Sequence, residues 1–171
     1  MRYVVLSDTH GDLRRIFAAV DYIRALGADE GLFLGDLCCD ASLLEKELRI
    51  PFRAVAGNCD AGMTRWPDED VVMAEGARIF ISHGHRFDVY EGPQRLIWAA
   101  QERECTVALY GHTHRQELLY EQGVLVMNPG SLCRPRASEA GFGLLDVKNG
   151  QAKGLLLPFC GQQEKGDSFF W

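Results

Sequence analysis

Met1-Arg2-Tyr3-Val4-Val5-Leu6-Ser7-Asp8-Thr9-His10-Gly11 opens the chain: an apolar run of strand length, cut off by a polar turn bearing a carboxylate and an imidazole. Four more segments repeat that arrangement. Gly31-Leu32-Phe33-Leu34 leads into Gly35-Asp36, and Ala54-Val55-Ala56 into Gly57-Asn58-Cys59-Asp60. The run from Ala77 to Ile81 leads into Ser82-His83-Gly84-His85, and residues 106–110 into Gly111-His112-Thr113-His114. All five histidines fall within these turns. Asp, Asn and His at the ends of five strands describe one site assembled from distant parts of the chain. Metal binding explains that pattern better than packing does.

Working outward, residues 2–6 read as a buried strand. Leu13, Ile16, Phe17, Val20, Ile23 and Leu26 then recur at helical spacing, opposite Arg14, Arg15, Asp21 and Arg24, with Gly27 as the stop. A strand at 31–34, a helix from Ser42 to Leu48 and a strand at 53–56 complete a βαβαβ opening. This order predicts parallel strands with their loops gathered at one edge, where open α/β sheets bind ligands. Downstream, 71–74 and 77–81 read as a hairpin turning at Glu75-Gly76, and a helix runs from Pro93 to about Glu104. Residues 106–110, 117–120, 124–127, 142–147 and 152–157 are further strands, with turns at Glu121-Gln122-Gly123 and Lys148-Asn149-Gly150. One helix-covered sheet from each half predicts a four-layer α/β/β/α sandwich, a single α/β domain over 1–171. The tail 161–171, ending Phe169-Phe170-Trp171, reads as a frayed or self-docked terminus, or as a contact in a homo-oligomer.

Composition limits the function. The 171 residues carry a formal charge of -6, which argues against an extended nucleic-acid surface but not against a phosphate-containing substrate, because bound cations reverse the local charge. The longest apolar stretches are strand-sized, so no membrane span is expected. The chain enters a strand directly, without a secretory leader, and its six cysteines contain no Cys-x-x-Cys pair. Reduced cysteines in a cytoplasmic protein are the expectation.

In extended backbone, Asp8 and His10 point the same way, as do His83 and His85, and His112 and His114. Nitrogen and oxygen donors without an obligatory thiolate suit manganese, iron, zinc or magnesium. Seven candidate donors exceed one tetrahedral ion and suit two adjacent ions bridged by a carboxylate. Two divalent ions, set against Asp8, Asp36 and a bridging hydroxide, leave one positive charge to attract a phosphoryl group.

On Asp8-x-His10, Gly35-Asp36, Gly57-Asn58-x-Asp60, His83 and Gly111-His112-x-His114, the chain resembles the calcineurin-like metallophosphoesterase superfamily from Met1 to about Leu157. Its small size and Asn128-Pro129-Gly130-Ser131 resemble the YfcE-like bacterial and archaeal phosphodiesterases, to which a eukaryotic retromer scaffold subunit is related. The resemblance implies that Asp8, His10, Asp36 and His114 hold one ion, and that Asp36, Asn58, His83 and His112 hold the second, with Asp36 as the bridge. It implies two divalent ions, manganese first, with nickel, zinc, iron, cobalt or magnesium as alternatives. A metal-coordinated hydroxide would attack the phosphorus of a small phosphodiester in line. A phosphomonoesterase, a cyclic-nucleotide enzyme or a non-catalytic scaffold is the alternative reading. His85 is assigned beside Asp36 and Asn58 in the catalytic group, touching phosphate or supporting the metal shell.

Cys59 stands where many superfamily members have a histidine that assists the leaving group, so activity on esters with good leaving groups is expected. Asp60 is read as orienting its own turn or groups behind the ligands, and Asn128 and Ser131 as building a tight turn near the pocket. Arg65, Arg86 and Arg115 are the candidate phosphate contacts. Trp66, Phe87, Tyr90 and Trp98 are expected to pack.

Overall fold

The computed structural model describes residues 1–60, 62 and 65–160; the tail 161–171 lies outside the described residues. Ten strands form two five-stranded sheets. The first has the order β10 (Gln151–Pro158), β9 (Gly141–Lys148), β1 (Arg2–Leu6), β2 (Glu30–Phe33), β3 (Phe52–Ala54). The second has the order β4 (Glu69–Ala74), β5 (Ala77–Ser82), β6 (Val107–Leu109), β8 (Val124–Pro129), β7 (Gln116–Glu121). Helices α1 (Leu13–Ala25) and α2 (Cys39–Leu48) cover the first sheet, and α3 (Gln94–Glu102) covers the second.

Strand β1 explains why the layers stack. Its period of two sends Val4 and Leu6 to the helix side, against Ile16, Val20, Ile23 and Leu44. Tyr3 and Val5 face the other way and pack with Leu32, Val55, Ile79, Ile81, Val107 and Leu109 between the sheets. A third core sets Leu96, Ile97 and Ala100 of α3 against Phe80, Ala108 and Val126. Both faces of β1 are therefore buried, and each such aliphatic side chain contributes roughly 1.5–3 kcal/mol. The result is the expected α/β/β/α sandwich.

Its halves are not drawn from the two halves of the chain. β9 pairs antiparallel with β1 (Tyr3 opposite Leu145), so the C-terminal β9–β10 hairpin closes the first sheet. Alternating Phe142, Leu144 and Leu145, Val147 fill both cores flanking that sheet, which burial rewards only if the hairpin sits there. α2 starts three residues before the expected Ser42, with Cys38 at its N-cap. Leu13 and Phe17, counted in the apolar repeat of α1, fall on the flank of its stripe and are exposed. Asp12 caps α1 by accepting a hydrogen bond from the Arg15 amide, and Gly27 follows it with φ +66. No helix among the described residues is long and apolar enough to cross a membrane.

The parallel pairs β1–β2, β2–β3, β5–β6 and β6–β8 bring the carboxyl ends of six strands to one rim. The turns after β1, β2, β3, β5 and β6 carry every candidate donor, and they meet there.

Candidate metal centre

At that rim the side chains of Asp8, His10, Asp36 and His114 bring one donor atom each to within 4.8 Å of one another. His114 Nε2 lies 3.2 Å from both Asp8 Oδ1 and His10 Nε2, and His10 Nε2 lies 3.7 Å from Asp36 Oδ2. His114 Nδ1 donates to the Arg134 carbonyl at 2.6 Å, so the neutral ring offers its Nε2 lone pair to the cluster. Asp8 Oδ1 is buried and has no aligned hydrogen-bond partner. Electron-pair donors converging at such distances, one a buried carboxylate oxygen left unsatisfied, fit a cation between them.

A second group adjoins the first through Asp36. His83 Nε2 is 3.4 Å from Asp36 Oδ1 and 3.2 Å from Asn58 Oδ1, while His83 Nδ1 donates to the Leu34 carbonyl at 2.6 Å. The His112 ring lies 5.0 Å from His83, and its backbone N–H donates to Asp8 Oδ2 at 3.0 Å. His85 stacks 5.4 Å from His83 and 6.1 Å from His112, with Nδ1 buried and unpartnered. It is not among the residues lining the open cleft.

The backbone here departs from the expected extended pairs. Asp8, His10, Asp36, His112 and His114 all have positive φ, between 48° and 66°. Left-handed residues in the turns aim these side chains inward, rather than strand alternation. For residues other than glycine this conformation costs roughly 1–2 kcal/mol each, so something must hold it. Asp60 does much of this. Its Oδ2 accepts from the amides of Asp36 and Gly57 (3.0 and 2.9 Å), and its Oδ1 from Leu37 and Cys38 (3.1 and 2.8 Å). Asp40 braces the first turn in the same way, accepting from Thr9 Oγ1 at 2.5 Å and the Gly11 amide at 2.9 Å. Asn128 Nδ2 donates to the Gly111 carbonyl and to Thr113 Oγ1, and Ser131 Oγ donates to the Asp8 carbonyl. Gly57 and Gly111 are needed for closeness: an added Cβ would sit 2.2 Å from Asp36 Oδ1 and 1.9 Å from Ser7 Oγ, respectively.

Without an ion, the electrostatics of the site are divided. His10 and His112 are held below the ordinary imidazole pKa, chiefly by burial. His85 is lowered in the same way, by burial and then by His83. His114 is raised, first by the Asp8 carboxylate close to its Nε2 and despite its burial. Burial pushes Asp36 up, but His83, the Cys59 hydrogen bonds and His10 together hold it below the usual carboxylate range. Cys59 Sγ donates to Asp36 Oδ2 at 3.3 Å, and burial plus that bond push its pKa up to about 11. Such a thiol stays protonated near neutrality and is no nucleophile. Cys59 forms no disulfide.

The cluster opens into a cleft of about 430 Å³, lined by His10, Asp36, Asn58, Cys59, Tyr90, His112, His114 and the segment Arg134-Pro135-Arg136. Residues 1–150 match the calcineurin-like phosphoesterase superfamily domain. The chain belongs to that superfamily. It is 28% identical over 158 residues to the probable metallophosphoesterase YsnB of Bacillus subtilis, covering 89% of this chain and 88% of the relative. It is 27% identical over 169 residues to phosphodiesterase YfcE of Escherichia coli, covering 85% and 88%. A point variant of Vps29 from Entamoeba histolytica aligns with a TM-score of 0.73 at 21% identity, over 93% of this chain and 99% of that one, a likeness of fold.

Several residues of this superfamily member play parts that its sequence did not reveal. Asp40 sits on a helix, outside every polar turn, and only the packing of α2 delivers it to the Asp8 loop. Arg65, Arg86 and Arg115, the expected phosphate contacts, do not line the cleft: Arg65 lies over the Trp66 ring, Arg86 pairs with Asp68 at 2.7 Å, and Arg115 lines a neighbouring depression. Arg134 and Arg136 take their place. Trp66 and Phe87 pack as expected, whereas Tyr90 and Trp98 are half exposed, and Tyr90 borders the cleft.

Proposed function

We propose that this protein is a metal-dependent phosphodiesterase of the small YfcE-like branch, hydrolysing small phosphodiesters at a dinuclear centre. The observation that carries the reading is the convergence of Asp8 Oδ1, His114 Nε2 and His10 Nε2, with the Asp8 oxygen buried and unsatisfied. Asp8, His10, Asp36 and His114 would hold one ion. Asp36, Asn58, His83 and His112 would hold the other, and manganese is the first choice. When bound, such ions supply Lewis acidity toward water and the phosphoryl oxygens.

The protein's own residues set the rest. The carbonyls of Leu34 and Arg134 fix the tautomers of His83 and His114, leaving Nε2 free on both. Asp36 accepts from the amide and the thiol of Cys59, which orients its carboxylate between the two groups. Asn58 and His112 reach the cleft wall and are placed to meet a phosphoryl oxygen. His85 supports the His83–His112 pair from the side. Cys59 supplies no effective proton to a departing group, because its pKa is displaced far above neutrality, so esters of acidic alcohols are the favoured substrates. A cytoplasmic location and possible homo-oligomerisation accompany this reading.

The test is to strip the protein of metal and follow hydrolysis of bis(p-nitrophenyl) phosphate as Mn²⁺ is restored, beside Asp36→Asn. Turnover that requires metal and vanishes in the variant supports the reading. A manganese-loaded protein without turnover defeats it. The ratio of this rate to that on p-nitrophenyl phosphate separates diesterase from monoesterase.

A further inference from the structure

The segment between β8 and β9 is tied to the metal cluster more tightly than a connecting loop needs to be. Ser131 Oγ donates to the Asp8 carbonyl at 2.7 Å and accepts from the Arg134 amide at 2.8 Å. The Arg134 carbonyl receives His114 Nδ1, and the Arg136 amide donates to the His114 carbonyl at 2.9 Å. Arg136 Nη1 then donates to the Tyr90 hydroxyl at 3.0 Å, which donates to the His112 carbonyl at 3.2 Å. The Tyr90 ring stands edge-on to His112 at 5.0 Å. Both guanidinium groups therefore hang on backbone fixed by the ligand turns, one on the His10–His114 side and one across to His112.

These cations also lack counter-charges. Arg2, Arg24, Arg53, Arg86, Arg95 and Arg103 each pair with a carboxylate, whereas no carboxylate among the described residues lies within 4.0 Å of Arg134 or Arg136. Unpaired guanidinium forks on the wall of a phosphoryl site suit bidentate capture of phosphate oxygens. A simple diester brings one negative charge, which a centre holding two divalent cations already matches. Two further fixed positive charges beside it call for a second phosphoryl group.

We infer that Arg134, Arg136 and Tyr90 form a subsite for a phosphoryl group adjacent to the one attacked, so that the preferred substrates are pyrophosphate-bridged diesters of the nucleoside-diphosphate type. This rests on the phosphodiesterase reading above. Water adds to one phosphorus, the P–O bond of the bridge breaks, and two phosphomonoesters leave, sharing the protons of the water. Tyr90 positions Arg136 through its hydroxyl, and Arg134 faces the outgoing phosphoryl group.

The test compares kcat/KM for ADP-ribose, with AMP and ribose 5-phosphate as products, against bis(p-nitrophenyl) phosphate, in wild type, Arg134→Ala, Arg136→Ala, Arg136→Lys and Tyr90→Phe. Arg115→Ala serves as an exposed arginine outside the cleft, and thermal midpoints verify folding. The expected result is that each Arg→Ala change lowers the ADP-ribose value at least tenfold more than the bis(p-nitrophenyl) phosphate value, mainly through KM. Arg136→Lys recovers part of that loss, Tyr90→Phe shifts the ratio by a few-fold, and Arg115→Ala leaves both rates unaltered. Calorimetric titration of the manganese-loaded protein with ADP and with AMP gives a second readout, in which the arginine changes weaken ADP at least tenfold more than AMP. Equal losses on both substrates, or wild-type turnover of the p-nitrophenyl diester with none of ADP-ribose, would overturn the inference while leaving the phosphodiesterase reading intact. Absence of turnover on either substrate defeats both.

Discussion

The two halves of the candidate centre are built differently. Asp8, Asp36 and His114 are buried, sit on left-handed turns, and are locked by carboxylates, hydroxyls and amides beneath them. On the other side Asn58 and its neighbour Cys59 are exposed, and His112 is half open to the cleft. Only the fully buried His83 anchors that half. The first half is locked from beneath by packing and hydrogen bonds, whereas the second leans mainly on His83 and its bond to the Leu34 carbonyl. Pre-organised backbone strain and buried charge are tolerated on one side because four-fold hydrogen bonding offsets them. On the open side His112 carries the same left-handed φ, at 66°, while Asn58 and His83 do not.

That contrast can be broken most directly at Asp8. Asp8→Asn removes a buried charge from the fixed half, and a loss of turnover on the order of 10³-fold is expected, in line with removal of a group that stabilises transition-state charge directly. Measured manganese content must fall with it. Retention of both would place the ion elsewhere.

Next in size is Asp60→Asn, which keeps the shape but replaces one carboxylate oxygen by an amide donor facing two backbone N–H groups. Charge-assisted bonds of this kind contribute about 1.5–3 kcal/mol each, so denaturant unfolding is expected to show a loss of about 3 kcal/mol. Asn58→Ala, on the exposed side, is expected to stay within about 0.5 kcal/mol of wild type, as surface changes do. Equal costs at the two positions would erase the distinction between the halves.

Addition of Mn²⁺ at 100 times its dissociation constant should stabilise the stripped protein by about 2.7 kcal/mol, readable as a rise in the thermal midpoint. In Asp8→Asn the rise should disappear.

The smallest effect is the pH dependence of the metal-free protein. His10, His85 and His112 have folded pKa values below the unfolded value near 6.5, so the unfolded chain binds more protons in that window. Stability should rise as pH rises toward 6.5. His114 works in the opposite sense: its raised pKa gives stability that is full below 6.5 and is lost as pH passes through its folded value. Thermal midpoints of stripped protein across that range should climb and then fall slightly. A monotonic fall from acid upward would contradict the lowered pKa values of His10, His85 and His112.

Much of this was readable along the chain, because strands, amphipathic helices and the polar turns between them follow from local patterns of side-chain polarity. β1 and the hairpin of β4 and β5 sit within a residue or two of their expected positions, and the turns that gather at the rim were recognisable from the pairing of glycine with Asp, Asn or His. The donors were legible for the same reason: residues of that chemistry have no business at the ends of apolar strands unless they serve a shared site. Alternation misled on geometry, however. Asp8 and His10 do not converge as neighbours on an extended strand, since left-handed turns set by remote carboxylates aim them instead.

What the sequence by itself determined is the set of elements, the layered architecture and the set of candidate donors, all consequences of local periodicity and residue chemistry. Tertiary structure alone decided that the β9–β10 hairpin returns to the first sheet, that Asp40 braces the Asp8 turn, and that Arg134 and Arg136 rather than Arg65, Arg86 and Arg115 face the cleft. Those outcomes depend on which surfaces bury each other and which charges are left without partners. Contacts between residues from tens to more than a hundred positions apart settle both, and no short window of sequence contains them.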